Sequence, residues 1–156
     1  MSKSLERVRG ALAAAGLDLR VIEMSESTRT AAEAAAAAGC EIDQIAKSIL
    51  FRGETSGALR LFITAGGNRV DPARAAALAG EPLGKADAAE VRAVTGFAIG
   101  GVAPVGSLVP LRSWIDLRLM EFGHVWAAAG TPNHIFRIAP DDLVRVTGAE
   151  PAAFVA

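Results

Sequence analysis

The stretch KSILFRGETSGALRLFITA, residues 47–65, decides the fold class of this chain. Its two halves, 47–53 and 58–65, are rich in the Ile, Leu, Phe and Thr residues that strands favour. The ETSG segment between them, at 54–57, is typical of a turn. The stretch therefore predicts a β-hairpin at the centre of a sheet.

Helical patterns flank this hairpin on both sides. Apolar residues at helical spacing predict a helix over residues 3–15, and residues 41–46 suggest one further helical turn. Thr30, followed three residues later by Glu33, forms a capping-box pattern, which predicts a helix that runs to Gly39. Three more helices are predicted by their first-turn or capping residues Pro72, Asp87 and Pro140.

Short apolar segments outside the hairpin predict the remaining strands. They lie at 19–23, 82–86, 108–116, 124–129 and 134–138, and the tail at 151–156 docks Phe154 or frays. About six or seven strands are interspersed with four or five helices and do not alternate strictly as βαβ. We therefore predict an α+β fold, with a mixed, largely antiparallel sheet or partial barrel flanked by helices. A length of 156 residues without repeats or linkers predicts a single domain over 1–156.

Composition excludes several classes of protein. Hydrophobic residues make up 51% of the chain and charged residues 21%, which excludes an intrinsically disordered chain. A formal net charge of −1 argues against binding along an extended phosphate backbone, but it permits contact with one end of a nucleic acid. Aromatic residues are 5% with no tyrosine, which argues against a surface of stacking platforms for bases.

Cysteine and histidine are too few to suggest a metal centre. The single Cys40 allows neither an internal disulfide nor a cysteine metal cluster, and nothing around it suggests a nucleophile. His124 and His134 lack nearby acidic ligands, so we predict no metal and no cofactor. The sequence MSKSLERVRG has no apolar signal segment, and no apolar run reaches about 18 residues. These observations predict a cytoplasmic protein without a membrane span.

Lys47 is the first candidate for a functional residue. Strand alternation places it on one face with Ile49 and Phe51, while Ser48 shares the other face with Leu50. A half-buried ammonium group can hold an anion or a carbonyl oxygen. A lysine at a strand end can equally extend its charge to solvent, and the pattern alone leaves both interpretations open.

Two glycine-containing segments are further candidates. The segment GGVAPVG, residues 100–106, allows close backbone approach to a ligand, although it fits neither a Walker A loop nor GxGxxG. A purely structural turn is the alternative. The segment GTPNH, residues 130–134, is typical of a turn before a strand, and His134 is either a strand residue or a general base. No Ser/His/Asp array is visible from the spacing.

Taken together, these segments resemble a known family. DQIAKSILF (43–51), TGFAIGGVAPVG (95–106) and VWAAAGTPNHIFRIAPDDL (125–143), in this order and spacing, resemble the YbaK/EbsC family. Its members are free-standing relatives of the prolyl-tRNA synthetase editing domain that deacylate aminoacyl-tRNA. The resemblance extends from about residue 3 to residue 148, and it depends on the lysine-bearing strand and the glycine loop occurring together.

The resemblance also implies site residues. Lys47 corresponds to the family's functional lysine, and with Gly100 and Gly101 of the glycine loop it forms the expected catalytic set. The expected substrate-binding residues come from the 24–28 segment, the strand, the loop and the following turn: Met24, Ser27, Thr28, Ser48, Pro104, Gly106, Gly130 and Asn133.

The implied reaction is hydrolysis of the ester that links an amino acid to the terminal ribose of a tRNA. It requires a positioned water and stabilisation of an oxyanion. The expected partner is the acceptor end of an aminoacyl-tRNA, namely tRNA for proline carrying Cys, Ser, Thr or Ala, and an aminoacyl-tRNA synthetase is a second candidate partner. Two alternatives stay open: a non-catalytic module that binds tRNA ends or a synthetase, and an esterase acting on small aminoacyl esters.

Overall fold

The structure of the chain is a computed structural model, and it describes residues 2–25, 28 and 30–156. Within these residues the chain forms five α-helices and eight strands. The helices are α1 Lys3–Ala14, α2 Ala31–Ala38, α3 Pro72–Ala79, α4 Ala88–Thr95 and α5 Pro140–Thr147. The strands are β1 Val21–Glu23, β2 Ile45–Gly53, β3 Leu59–Ala65, β4 Leu83–Lys85, β5 Arg112–Asp116, β6 Val125–Ala128, β7 His134–Ile138 and β8 Glu150–Ala152. None of the helices in the described ranges is long and apolar enough to cross a bilayer.

The strands form one sheet in the order β1-β7-β6-β2-β3-β5-β8, and β4 pairs separately with β2. Four of the strand pairs between described residues are antiparallel and three are parallel. The sheet does not close on itself. This architecture confirms the predicted α+β class with a mixed, largely antiparallel sheet flanked by helices.

The predicted hairpin is confirmed as β2 and β3, paired from Ala46 opposite Ala65 to Arg52 opposite Leu59. However, β2 begins at Ile45, within the segment predicted to form a helical turn. A 3₁₀ turn covers only Ile42–Gln44. The extra strand residues pair with β6, which is distant in sequence and gives no local signal.

Helix starts follow the predicted capping residues. Thr30 and Glu33 form a reciprocal capping box at the start of α2. The side chain of Asp87 accepts a hydrogen bond from the Glu90 N–H at the start of α4. Pro72 is the first residue of α3, as predicted. These interactions satisfy the N–H groups that a helix leaves unpaired in its first turn.

The strand count differs from the prediction of six or seven. Residues 150–152, which overlap the start of the predicted tail at 151–156, form β8 and pair in parallel with β5. The strand predicted from residue 108 begins only at Arg112. Of the two alternatives predicted for the tail, the first is confirmed, because Phe154 is fully buried in the core.

The two faces of the sheet carry separate cores. On one face, Leu61 and Ile63 pack with Val8 of α1 in the largest apolar cluster. On the other, Phe62 stacks on Trp114 with ring centroids 4.9 Å apart, and both belong to a cluster with α3. Strand alternation explains the division, because neighbouring residues of β3 point to opposite faces.

A third, smaller cluster joins helix α2 to the β6–β7 end of the sheet. Ala34 and Ala35 of α2 are buried against Trp126 and Ile135. Because every side chain of the helix except that of Glu33 is a methyl group, the helix can lie near the sheet while space remains between its first turn and β2. That space is the candidate site.

Candidate active site

A pocket of about 620 Å³ opens beside the middle of β2. Its volume falls within the range of roughly 300–1,000 Å³ that is typical of small-ligand sites. Helix α2, strands β2 and β6, the end of β4 and the glycine loop form its walls, and most of the lining is apolar. The lining residues are Thr28, Thr30, Ala31, Ala32, Ala34, Ile42, Ile45, Ala46, Lys47, Ser48, Ile49, Leu50, Gly66, Lys85, Ala86, Val91, Ile99, Gly100, Val102, Trp126, Ala127, Ala128 and Ile135.

The pocket exists because β2 has a gap along one edge. On that edge β2 pairs with β6 at Ile45 and Ala46, and with β4 from Phe51 to Gly53. In the described part of the chain, no strand lies opposite residues 47–50 there. The backbone of this interval therefore borders the pocket.

Lys47 lies at the start of this gap, and backbone carbonyls hold its ammonium group. Its Nζ donates hydrogen bonds to the carbonyl oxygens of Gly66, at 3.2 Å, and Asn68, at 2.6 Å. Burial and the nearby charge of Arg69 lower the pKa of Lys47 below its ordinary value of 10.5, and Asp116 and Asp43 oppose this shift. An ammonium group has three protons to donate, so one remains after these two bonds.

The turn at 66–68 that holds Lys47 is itself fixed by two aspartates. Asp43 accepts a hydrogen bond from the Gly67 N–H at 2.9 Å, and Asp116 accepts one from the Asn68 side chain at 2.9 Å. A Cβ on Gly66 would lie 2.2 Å from the carbonyl oxygen of Ile42, so only glycine fits there. The two carbonyls that hold Lys47 are therefore rigidly placed.

A second turn, residues 131–133, connects the glycine loop to Met24 and Thr28. Thr28 donates two hydrogen bonds of 2.7 Å to the Pro132 carbonyl, one from its N–H and one from its hydroxyl. The Met24 N–H donates to the Asn133 carbonyl at 2.7 Å. On the opposite side, Gly101 lies directly against Thr131. These three separate segments therefore meet at one turn beside the pocket.

Comparison with known proteins identifies the family. Residues 25–146 match the family described as the aminoacyl-tRNA editing domain. The chain belongs to this family. A role in aminoacyl-tRNA editing, and binding of aminoacyl-tRNA, follow from that membership, and the resemblance to YbaK-type proteins is confirmed.

Two solved structures similar to this editing domain cover its whole length, and a further relative covers about four-fifths of it. A solved structure named "a putative trans-editing enzyme for prolyl tRNA synthetase" is 48% identical, with a TM-score of 0.93 over 100% of this chain and 99% of that chain. A scaffold protein used for computational grafting of linear epitopes is 45% identical, with a TM-score of 0.92 and the same coverage. The uncharacterized protein YwhH of Bacillus subtilis (strain 168) is 32% identical over 79% of this chain and 78% of its own.

The predicted site residues of the editing domain that the structure describes divide into two groups. Thr28, Lys47, Ser48 and Gly100 line the pocket. Ser27 lies outside the described residues. The other predicted residues are described but do not border the pocket: Met24, Gly101, Pro104, Gly106, Gly130 and Asn133.

Two glycines of the second group have clear contacts with helix α1. The Gly106 carbonyl accepts a hydrogen bond from Arg7 at 3.1 Å, and the Gly130 carbonyl accepts one from the Ser4 hydroxyl at 2.9 Å. A Cβ on either glycine would come within 3.2 Å of the α1 backbone. These contacts place Gly106 and Gly130 where the glycine loop and the following turn are fastened to α1.

Within the glycine loop, Gly100 and Gly101 have different surroundings. Gly100 lines the pocket with a φ of 92°, a conformation that side chains rarely adopt. The N–H of Gly101 donates to the Ala98 carbonyl at 3.0 Å, so it is already occupied within the loop. Gly100 and Val102 both line the pocket.

The structure also reveals a hydrogen-bonded chain that sequence spacing did not show. His134 Nδ1 contacts the Thr131 hydroxyl, and His134 Nε2 lies 3.1 Å from a carboxylate oxygen of Glu23. Glu23 and His134 are opposite each other in the β1–β7 pair, so the contact depends on strand pairing. None of Glu23, Thr131 and His134 lines the pocket, and their contacts hold β1 against the turn at 131–133.

Sequence reasoning missed the residues that shape the pocket and hold the lysine. They are Asp43, Gly66, Asn68, Asp116 and Trp126, together with the alanines of α2. The adjacent pair Gly66–Gly67 directly after a strand was the available signal, because two glycines there suggest close backbone packing.

The contacts of Gly101 predict a stability effect for Gly101→Ala. The new Cβ would lie 2.7 Å from the carbonyl carbon of Thr131, which is backbone and cannot move aside cheaply. We expect a loss of about 1–3 kcal/mol in the free energy of unfolding, measured by urea denaturation. Gly123→Ala, where no atom lies within 4 Å of the new Cβ, is the matched control. Unchanged stability of Gly101→Ala would contradict the close packing.

The lowered pKa of Lys47 predicts a pH dependence of stability. Between that pKa and 10.5 the unfolded chain binds more protons than the folded one, so the free energy of unfolding should rise with pH in this window. Burial raises the pKa of Cys40 above its ordinary value of 9.0, and this has the opposite effect. The free energy of unfolding is therefore measured by urea denaturation as a function of pH for two proteins, Cys40→Ser and the double variant Cys40→Ser with Lys47→Met. The rise should disappear with Lys47→Met, and an identical pH profile for both proteins would contradict the shift.

Proposed function

We propose that this editing domain hydrolyses the ester bond of mischarged aminoacyl-tRNA. The observation that carries the proposal is the pocket that Lys47, Ser48 and Gly100 border together, although they come from two distant segments. Membership of the editing-domain family supports this chemistry.

The reaction needs little from the protein beyond positioning and charge stabilisation. The oxygen of a water attacks the acyl carbon, the carbon–oxygen bond to the ribose breaks, and the ribose oxygen takes up a proton. The third proton of the Lys47 ammonium group can donate to the substrate while the other two stay bound to Gly66 and Asn68. N–H groups of Gly100 and Val102 are the candidate donors to the developing oxyanion.

The proposed substrate is tRNA for proline that carries Cys, Ser, Thr or Ala. The 48% identity to a structure named for trans-editing with prolyl-tRNA synthetase supports this choice of tRNA. The alanines of α2 leave room in the pocket, and its largely apolar lining suits a small amino acid better than a charged one.

A deacylation panel tests the proposal. tRNA for proline is charged in turn with Ala, Cys, Ser, Thr and Pro, and loss of the labelled amino acid is followed with and without the domain and with added prolyl-tRNA synthetase. We expect at least one mischarged ester to be cleared faster than its spontaneous hydrolysis while the Pro ester survives. Binding without clearance of any ester would indicate a non-catalytic module. Equally fast cleavage of the same aminoacyl ester of adenosine would indicate a small-molecule esterase.

Deacylation is expected to be independent of metal ions. Among the residues that the structure describes, no group of three His, Cys, Asp or Glu side chains is arranged to hold an ion. Dialysis against a chelator should leave the rate unchanged when the tRNA is kept folded with a polyamine. A loss of activity that one divalent ion restores would contradict this expectation.

A further inference from the structure

The gap in the β2 edge exposes the main chain of Ser48. Across the hairpin, the Gly53 N–H donates to the Ala58 carbonyl at 2.8 Å, while on the opposite edge the Glu54 N–H donates to Pro82 at 2.9 Å. In a strand, the main-chain polar groups of alternate residues point to opposite edges. The odd-numbered residues of β2 therefore face β3, and Ser48 faces the gap.

Among the described residues, the Ser48 hydroxyl has no hydrogen-bond partner, and the main-chain groups of Ser48 face no paired strand. The hydroxyl oxygen is buried without a hydrogen bond. Along this edge, the pairing of β2 with β6 ends at Ala46, and the pairing with β4 begins at Phe51. The N–H and the carbonyl oxygen of Ser48 lie in the unpaired interval between them. No loop or side-chain hydrogen bond within residues 2–25, 28 and 30–156 reaches them. Because the N–H and C=O groups of a strand normally have hydrogen-bond partners, these two groups beside the pocket point to a ligand.

We propose that the main chain of Ser48 binds the α-aminoacyl group of the substrate as though it were one residue of an added antiparallel strand. In such a pair, two facing residues exchange both N–H···O bonds. An aminoacyl group carries the same two functions, an α-amino donor and a carbonyl acceptor, on adjacent carbons. The Ser48 N–H donates to the acyl carbonyl oxygen, and the α-ammonium donates to the Ser48 carbonyl.

This arrangement recognises the α-amino acid itself and not its side chain. It rests on the proposed function for the identity of the ester, and it adds a requirement for a free α-amino group. An ester whose acyl group lacks the amino group keeps only one of the two hydrogen bonds. The adjacent pocket then remains available for selecting the side chain.

Ser48→Pro tests the proposal, because proline removes the N–H that faces the gap and leaves the β3 ladder intact. Ser48→Ala is compared with it, because it removes the hydroxyl and keeps the N–H. We expect kcat/KM of Ser48→Pro to be about a hundredfold lower than that of Ser48→Ala, with similar circular dichroism. Ile49→Pro, whose N–H faces β3, should fail to fold. Equal kcat/KM values for the two Ser48 variants would overturn the proposal.

A binding measurement on the wild-type protein decides the matter if Ser48→Pro does not fold. The probes are 3′-alanylamino-3′-deoxyadenosine, a stable amide analogue of the ester, and its propionyl counterpart without the amino group. We expect the alanyl probe to shift the NMR signal of the Ser48 amide and to bind at least about tenfold more tightly than the propionyl probe. No shift, or equal affinities, would overturn the proposal. A shift with no tRNA ester hydrolysed would overturn the proposed reaction and leave the binding site standing.

Discussion

Lys47→Ala is expected to reduce kcat for deacylation by about a hundredfold to a thousandfold. The substitution removes the ammonium group that borders the pocket and leaves the carbonyls of Gly66 and Asn68 without their donor. For that reason it should also lower the free energy of unfolding by about 1–3 kcal/mol. Single-turnover deacylation and urea denaturation measure the two effects separately.

Two companion variants separate charge from packing. Lys47→Met keeps most of the aliphatic stem, so it should lose activity as Lys47→Ala does while packing better. Lys3→Ala removes an exposed lysine from α1, away from the pocket, and should keep the wild-type rate. Full activity in a folded Lys47→Ala protein would exclude the proposed role of the lysine.

Ala31→Leu is expected to lower kcat/KM by roughly a hundredfold, because a single methylene in an apolar pocket already changes binding tenfold or more. Ala31 lines the pocket, and its Cβ is 3.0 Å from the position that a Cβ on Gly66 would take. A longer side chain there would occupy the space between α2 and β2. The loss should be greatest for the largest acyl group that the domain hydrolyses.

Ala36→Leu provides the matched control on the same helix. Ala36 is exposed and does not line the pocket, so its replacement adds the same volume without reaching the site. A wild-type rate is expected for this variant. If Ala31→Leu also hydrolysed every ester at the wild-type rate, the aminoacyl group would have to bind elsewhere.

Local signals in the sequence were sufficient for the hairpin and the helix starts. Thr30 with Glu33 and the Asp87 cap act within four residues, so their patterns survive in the sequence whatever the rest of the chain does. The glycine loop and the lysine-bearing strand were also predictable, because their order and spacing match the family. The role of each residue in the pocket remains a prediction.

Features that depend on distant pairing were not predictable. β8 is three residues long, contains Pro151, and exists only because β5 offers an edge. The two acceptors of Lys47 lie in a turn 19 and 21 residues away along the chain. The space beside Gly101 is filled by the backbone of Thr131, which only the folded chain brings near. Contacts of this kind follow from topology, which a single sequence does not encode locally.

The placement of the two tryptophans gives the pocket an optical signal of its own. Trp126 borders the pocket, whereas Trp114 is buried against Phe62 in a separate apolar cluster with α3. Since the chain has no tyrosine, Trp114→Phe would leave one emitter, located at the site. Its fluorescence would follow the arrival of the acyl group and the departure of the free amino acid in real time, without a label on the RNA.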